Sequence, residues 1–199
     1  MDSFKRKDLN TEKRNVESSN IDELTTIQIL ELINNEDSSI PKKITKVLKD
    51  IEKTIDICVE SLKSGGRIFY IGAGTSGRLG VLDASEIPPT FSASKHIFTG
   101  IIAGGDAALK NSIEGAEDNP KQALIDLKTA LIKKDDVLIG VSASGAAKYV
   151  QSALVYAKSI QAKTVYLLCN KVPYLNAKTD AVIAVDTGPE VITGSTRMK

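Results

Sequence analysis

Tryptophan is absent from this 199-residue chain, aromatic residues make up 5% of it, and histidine occurs once, at His96. So few flat side chains exclude a platform on which bases stack. Neither charge dominates: 26 Lys and Arg face 25 Asp and Glu, a formal net charge of +1. That leaves no basic field for nucleic acid or for an anionic membrane. The two cysteines, Cys58 and Cys169, lie far apart and outside any Cys-x-x-Cys pair. With a lone histidine they cannot form a structural zinc site, and they read as core thiols of a reducing compartment. No apolar run reaches the roughly 18 residues of a membrane span, and the opening MDSFKRKDLNTEKRNVESSN holds no apolar signal-peptide core. A cytoplasmic protein with no nucleic-acid or membrane partner is expected, and its 42% hydrophobic residues suffice for a core.

Residues 1–20 are polar and mixed in charge, an arm expected to order only against another surface. Asp22 is placed to cap a short helix carrying Leu24, Ile27, Leu30 and Ile33. Ser38 and Ser39 precede Pro41, after which Ile44, Val47, Leu48, Ile51, Ile55, Cys58, Val59 and Leu62 fall on one stripe that Gly65-Gly66 ends. That spacing predicts one long amphipathic helix over 41–62. Beyond it the pattern predicts strands over 67–71, 96–103, 137–142, 164–169 and 181–185. Helices are predicted over 79–86, where Pro88-Pro89 stop the chain, and over 106–113, 120–132 and 147–160. Strands alternating with helices imply an α/β fold, a doubly wound parallel sheet covered on both faces.

Gly72, Gly74 and Gly77 fit G-x-G-x-x-G between a strand and a helix. A dinucleotide site also needs an acid about 20 residues on, to hold the ribose. The stretch 91–105 contains none, which places a nicotinamide or flavin enzyme last among the readings. Thr75 and Ser76 sit instead where free helix N–H groups suit a phosphate, and Ser142 and Ser144 repeat the arrangement after the third strand. Two hydroxyl-rich loops at one sheet edge point to a small phosphorylated ligand; the bland alternative is a pair of capped turns. With no metal ligands and no Cys–His pair, carboxylates are the available acid/base groups. Glu86 stands just before Ile87-Pro88-Pro89, and Glu114, Glu117 and Asp118 cluster in EGAEDN. His96 reads as a core or rim residue of its strand. Arg78 and Arg197 are candidates for a phosphate or for the surface.

The segment IGAGTSGRLGVLDASEIPPTF (71–91) closely resembles the signature of the N-acetylmuramic acid 6-phosphate etherases, a family of the sugar-isomerase (SIS) superfamily, to which the glucokinase regulatory protein also belongs. The resemblance extends through TEKRNVESSNIDELTTIQILELINNED (11–37), IIAGGDAALKNSIEGAEDN (101–119), VSASG (141–145) and TGPEVITGSTRMK (187–199). It implies a lyase that removes D-lactate from the C3 ether of N-acetylmuramate 6-phosphate by elimination and then hydration, with no metal or redox cofactor. It implies Glu86, in DASE, as the acid that protonates the departing ether oxygen, and Glu117, in GAED, as the second catalytic glutamate, a candidate for handling the C2 proton. Gly74, Thr75, Ser76 and Gly77 match the first sugar-phosphate loop, and Ser142, Ser144 and Gly145 the second. It further implies a homodimer with sites near the interface, contacted through 41–62 and the arm. The arm and short helix would occupy 1–40 and an SIS-like domain 41–199, the latter stopping short of the family's C-terminal third.

One departure stands out. Family members continue SASG with Arg-Thr-Pro, whereas this chain reads Ala146-Ala147-Lys148, which removes a hydroxyl and a guanidinium from the second loop unless Lys148 compensates. The alternative function is therefore a non-catalytic sugar-phosphate-binding regulatory module.

Overall fold

The computed structural model of the chain describes residues 8–171 and 178–194. Five strands, β1 (Ile68–Gly72), β2 (Phe98–Ile102), β3 (Val137–Val141), β4 (Lys163–Leu168) and β5 (Ala181–Ala184), form one sheet in the order β2-β1-β3-β4-β5. Every pairing is parallel, with Ile68 opposite Phe98 on one side and Val137 on the other. All five strands lie where the alternation placed them. Their near-continuous apolar sequences, such as VLIGV in β3, suit strands buried on both faces.

The helices are α1 (Thr26–Ser38), α2 (Ile40–Thr45), α3 (Leu48–Lys63), α4 (Gly74–Phe91), α5 (Ala107–Lys110), α6 (Pro120–Thr129) and α7 (Lys148–Ser159). One sheet face carries Phe69, Leu138, Tyr166 and Leu168 against α6 and α7, through Leu127, Val150 and Leu154. The other carries Ile68, Val137, Ile139 and Val165 against Ile51 and Cys58 of α3. The fold is thus the expected doubly wound α/β sheet, and strand order reverses at the boundary between the neighbouring strands β1 and β3. In such sheets the crevice outside the carboxyl ends of the strands at that reversal binds ligands.

Four local expectations change. The stripe over 41–62 is split at Lys46–Val47, where Val47 leaves helical geometry with φ −114° and ψ 15°. Val47, Ile51 and Cys58 turn onto the sheet, while Leu48 and Ile55 remain 53% and 55% exposed. The first helix is capped by Thr25, which with Gln28 forms a capping box, and Asp22 lies in a preceding 3-10 turn. Helix α4 runs through Pro88 and Pro89. Both prolines lie in its last four residues, where their missing N–H groups leave the Ala84 and Ser85 carbonyls without the usual backbone donor and the helix ends within a turn. Finally, His96 occupies an exposed turn before β2 rather than the strand.

The arm orders against this same chain. Leu9 is 2% exposed, Asn10 donates to Asp186 at 2.9 Å, and Ser18 donates to the Val191 carbonyl at 2.6 Å.

Candidate active site

Helix α4 packs on β1 and β2 through its smallest residues. Gly77 abuts the Gly72 carbonyl and Ile102, and Gly80 abuts Tyr70. This closeness brings the first turn of α4 directly over the end of β1. Its N-cap, Ala73, supplies no side-chain acceptor, so the N–H groups of the first turn face outward with the positive end of the helix dipole. The β3 end builds the second wall. There Ser142 Oγ accepts from Gly145 N–H at 3.2 Å, and Ser144 Oγ accepts from Ala146 N–H at 3.3 Å. Accepting from the backbone leaves the Ser144 hydroxyl its own proton for a ligand. Gly145 takes a φ of +75° to close this turn, and Gln151 Nε2 donates to its carbonyl at 3.0 Å.

Between the two loops lies a cavity of about 310 Å³, lined by Gly74, Thr75, Ser76, Ser142, Ser144 and Glu117, together with Glu12 and Gly194. Glu117 comes from a 3-10 turn, Ala116–Asp118, that Gly115 enters at φ +72°. Gly77, packed on Gly72 and Ile102, and Gly145, at its positive φ, do not line the space themselves. A second cavity of about 540 Å³ adjoins the first across Gly74, Thr75 and Glu117, and it is bounded by Arg78, Lys110 and Glu114. Hydroxyl-bearing loops and carboxylates thus line one crevice. That arrangement can hold a phosphorylated polyol by its phosphate while presenting oxygen bases to the rest of it.

Not every expected residue is gathered here. Glu86 is exposed on α4. It lies twelve residues beyond Gly74, so at 1.5 Å per residue it stands about 18 Å down the helix axis from the loop. Arg78 spends its guanidinium on the Ala108, Leu109 and Asn111 carbonyls at 3.0–3.1 Å, pinning α5. Lys148 lies 3.7 Å from Asp118, both well exposed, and does not line the cavity. Arg197 lies outside the described residues. Burial raises the thiol pKa of Cys58, and burial first, then Glu190, raises that of Cys169 against an opposing Thr187 hydrogen bond. Neither is a poised nucleophile. Burial likewise pushes the Tyr166 phenol up, behind the second loop, with Ser142 acting weakly the other way.

Sequence reasoning missed Glu12. Its only signal was its place in the TEKRN segment of the polar arm, and nothing local says that residue 12 returns to β3.

Residues 44–158 match the family described as the glucokinase regulatory protein N-terminal SIS domain. The chain is 50% identical over 191 residues to N-acetylmuramic acid 6-phosphate etherase 1 of Bacillus licheniformis, covering 96% of this chain and 63% of that protein. It is 47% identical to the N-acetylmuramic acid 6-phosphate etherase of a Geobacillus species, again over 96% of this chain and 65% of the relative. The chain therefore spans a little under two thirds of these relatives' length. Among solved structures, phosphoheptose isomerases from Neisseria gonorrhoeae and Francisella tularensis superpose with TM-scores of 0.62 and 0.59 at 18% and 21% identity. Each covers 81% of this chain and 86% of its own. At that identity they establish the fold.

Proposed function

We propose, from the premise that this chain belongs to the glucokinase regulatory protein N-terminal SIS domain family, that it is a carbon–oxygen lyase. It would cleave the D-lactyl ether of N-acetylmuramate 6-phosphate to N-acetylglucosamine 6-phosphate and D-lactate, a step of amino-sugar catabolism in cell-wall recycling. The observation that carries this reading is the convergence of Thr75, Ser76, Ser142, Ser144 and Glu117 on one cavity, in a chain about half identical to proteins that bear the etherase name.

In this reading the phosphate sits on the first-turn N–H groups of α4 and on the serine hydroxyls. The opened sugar presents its C1 aldehyde, which acidifies the C2–H. Glu117 takes the C2 proton, the C3–O bond breaks, and Glu86 delivers a proton to the departing lactate oxygen. Water then adds to C3 of the unsaturated aldehyde, giving up its proton to Glu86, while Glu117 returns the proton to C2. The bookkeeping closes without an oxidant, and no cofactor is called for.

About 18 Å separates Glu86 from the α4 loop along the helix, so we take the acid from a second copy: the partner's Glu86 reaches this cavity. Thr75, Leu79, Leu82 and Glu86 fall on one face of α4. Leu79 and Leu82 are each 57% exposed, along an apolar groove of about 360 Å³ that runs from Thr75 to Ser85. A two-fold homodimer that buries this face completes both sites at once. A phosphorylated, membrane-impermeant substrate fits a cytoplasmic enzyme.

The test is D-lactate release from N-acetylmuramate 6-phosphate by the chain and by Glu86→Gln and Glu117→Gln. Both variants are expected to lose release by at least a hundredfold while still binding N-acetylglucosamine 6-phosphate. Turnover retained in both sinks the mechanism. Binding without turnover in the unsubstituted chain moves it to the regulatory reading.

A further inference from the structure

The arm brings a second carboxylate of this chain to the cavity, beside Glu117. Glu12 closes a short 3-10 turn, Asn10–Glu12, and lines the same 310 Å³ space as Thr75, Ser144 and Glu117. Its position is built by its neighbours. Leu9 is sunk into the body of the domain, and Asn10 donates to Asp186. Thr11 is gripped on both sides by Asn170, a residue 2% exposed just past β4. The same Asn170 amide donates to the carbonyls of Ala143 and Ser144 at 3.2 and 3.0 Å, so the arm and the second loop share one clasp. From this geometry we infer that Glu12 is a substrate-contacting, specificity-determining residue that accepts a hydrogen bond from a sugar hydroxyl, and that Asn170 is its positioning residue.

The chemistry favours a hydroxyl over any anion. A carboxylate repels phosphate, so beside two oxyanion loops it serves the neutral, donor-bearing part of the ligand. It also gives the crevice a direction: phosphate toward Thr75 and Ser144, hydroxyls toward Glu12. The inference rests on the sugar-phosphate reading above and adds to it a residue that the two-glutamate scheme does not use.

Affinity measurements on the 199-residue chain, with two ligands, test it. N-acetylglucosamine 6-phosphate carries phosphate and hydroxyls; inorganic phosphate carries only the anion. For Glu12→Gln and Glu12→Ala, sugar-phosphate affinity is expected to fall about tenfold or more, as for loss of a charge-assisted hydrogen bond. Phosphate affinity should hold or rise as the repulsion is removed. Asn170→Ala, which also releases the Ser144 carbonyl of the second loop, should lose more affinity for the sugar phosphate than for phosphate, and Glu12→Asp should recover part of the Glu12 loss. Equal losses for both ligands would mean that the arm merely supports the loops, and the proposal would fall. Unchanged sugar-phosphate affinity in both Glu12 variants would overturn it too, leaving the broader site intact. An unsubstituted chain that binds neither ligand would overturn the sugar-phosphate reading itself.

Discussion

Asn170 and Thr11, 159 positions apart in the chain, exchange two hydrogen bonds: Thr11 N–H donates to Asn170 Oδ1 at 3.3 Å, and Asn170 Nδ2 donates to Thr11 Oγ1 at 2.9 Å. This pair makes the N-terminal arm a wall of the same cavity that the strand ends create.

Removing the clasp takes a donor from the half-buried Ala143 and Ser144 carbonyls, of which Ala143 keeps the Cys169 N–H, and leaves the Thr11 N–H without this acceptor. Asn170→Ala is expected to cost about 2 kcal/mol of stability and to raise amide exchange over residues 9–18 before it does so in the sheet. Asn170→Asp should be no better, since a carboxylate would face two carbonyl oxygens where an amide donated. Urea unfolding and exchange mass spectrometry check both. An arm that stays protected in Asn170→Ala would mean that Leu9 and Ser18 hold it unaided.

Much of this architecture was legible because its signals are local. Five apolar strands of β1–β5, each bounded by turn residues, announce a buried parallel sheet, and glycines with hydroxyls after β1 and β3 announce the loops. What was illegible depends on distance. Nothing near Val47 says that the apolar stripe must break there; the break follows from α3 having to lie flat on Ile68 and Val165 of the sheet. The exposed Leu48 and Ile55 then show that a single stripe can serve two surfaces. Glu86 stands out by its motif, but its separation from the glycine loop follows from α4 continuing unbroken past it. Glu12 needed the clasp, which joins segments that no periodicity connects.

Gly77 tests the closeness of α4 to the sheet. A Cβ there would lie 2.7 Å from both the Gly72 carbonyl oxygen and Ile102 Cγ1, and the carbonyl cannot move without breaking β1. Gly77→Ala is expected to cost about 2 kcal/mol and to weaken phosphate binding by lifting the first turn of α4. Gly74→Ala meets open space and costs only the strain of its φ of +55°, about 1 kcal/mol. Thermal unfolding with and without phosphate should rank the two in that order; the reverse order would contradict the packing argument.

Asp180 supplies a pH signature. Burial pushes its carboxyl up, but the Lys158 ammonium at 2.6 Å and two hydrogen bonds from Thr164 at 2.9 Å outweigh it, holding the pKa below its ordinary value. A carboxylate lowered in the folded state contributes stability above its unfolded pKa and loses it as pH falls through the folded one. Asp180→Asn should therefore lower the melting temperature near neutrality, and the gap to the unsubstituted chain should close below about pH 4. A gap that persists to pH 2 would assign the effect to packing instead.

The proposed sharing of a site between two copies has its own arithmetic. Glu86→Gln and Glu117→Gln chains are each expected to be inactive alone, because every site in each homodimer lacks one carboxylate. Mixed and allowed to exchange, they form heterodimers in which one cavity holds an intact Glu117 and receives an intact Glu86 from the partner, while the other holds neither. With random pairing half the dimers are mixed and half their sites are whole, so lactate release should return to about a quarter of that of the unsubstituted chain. If Glu86 instead serves the cavity of its own chain, no pairing unites the two intact residues, and mixing restores nothing. The exposed Leu79 and Leu82 beside Glu86 offer the control: a charged residue at Leu82 should abolish the recovery while leaving phosphate binding to the loops intact.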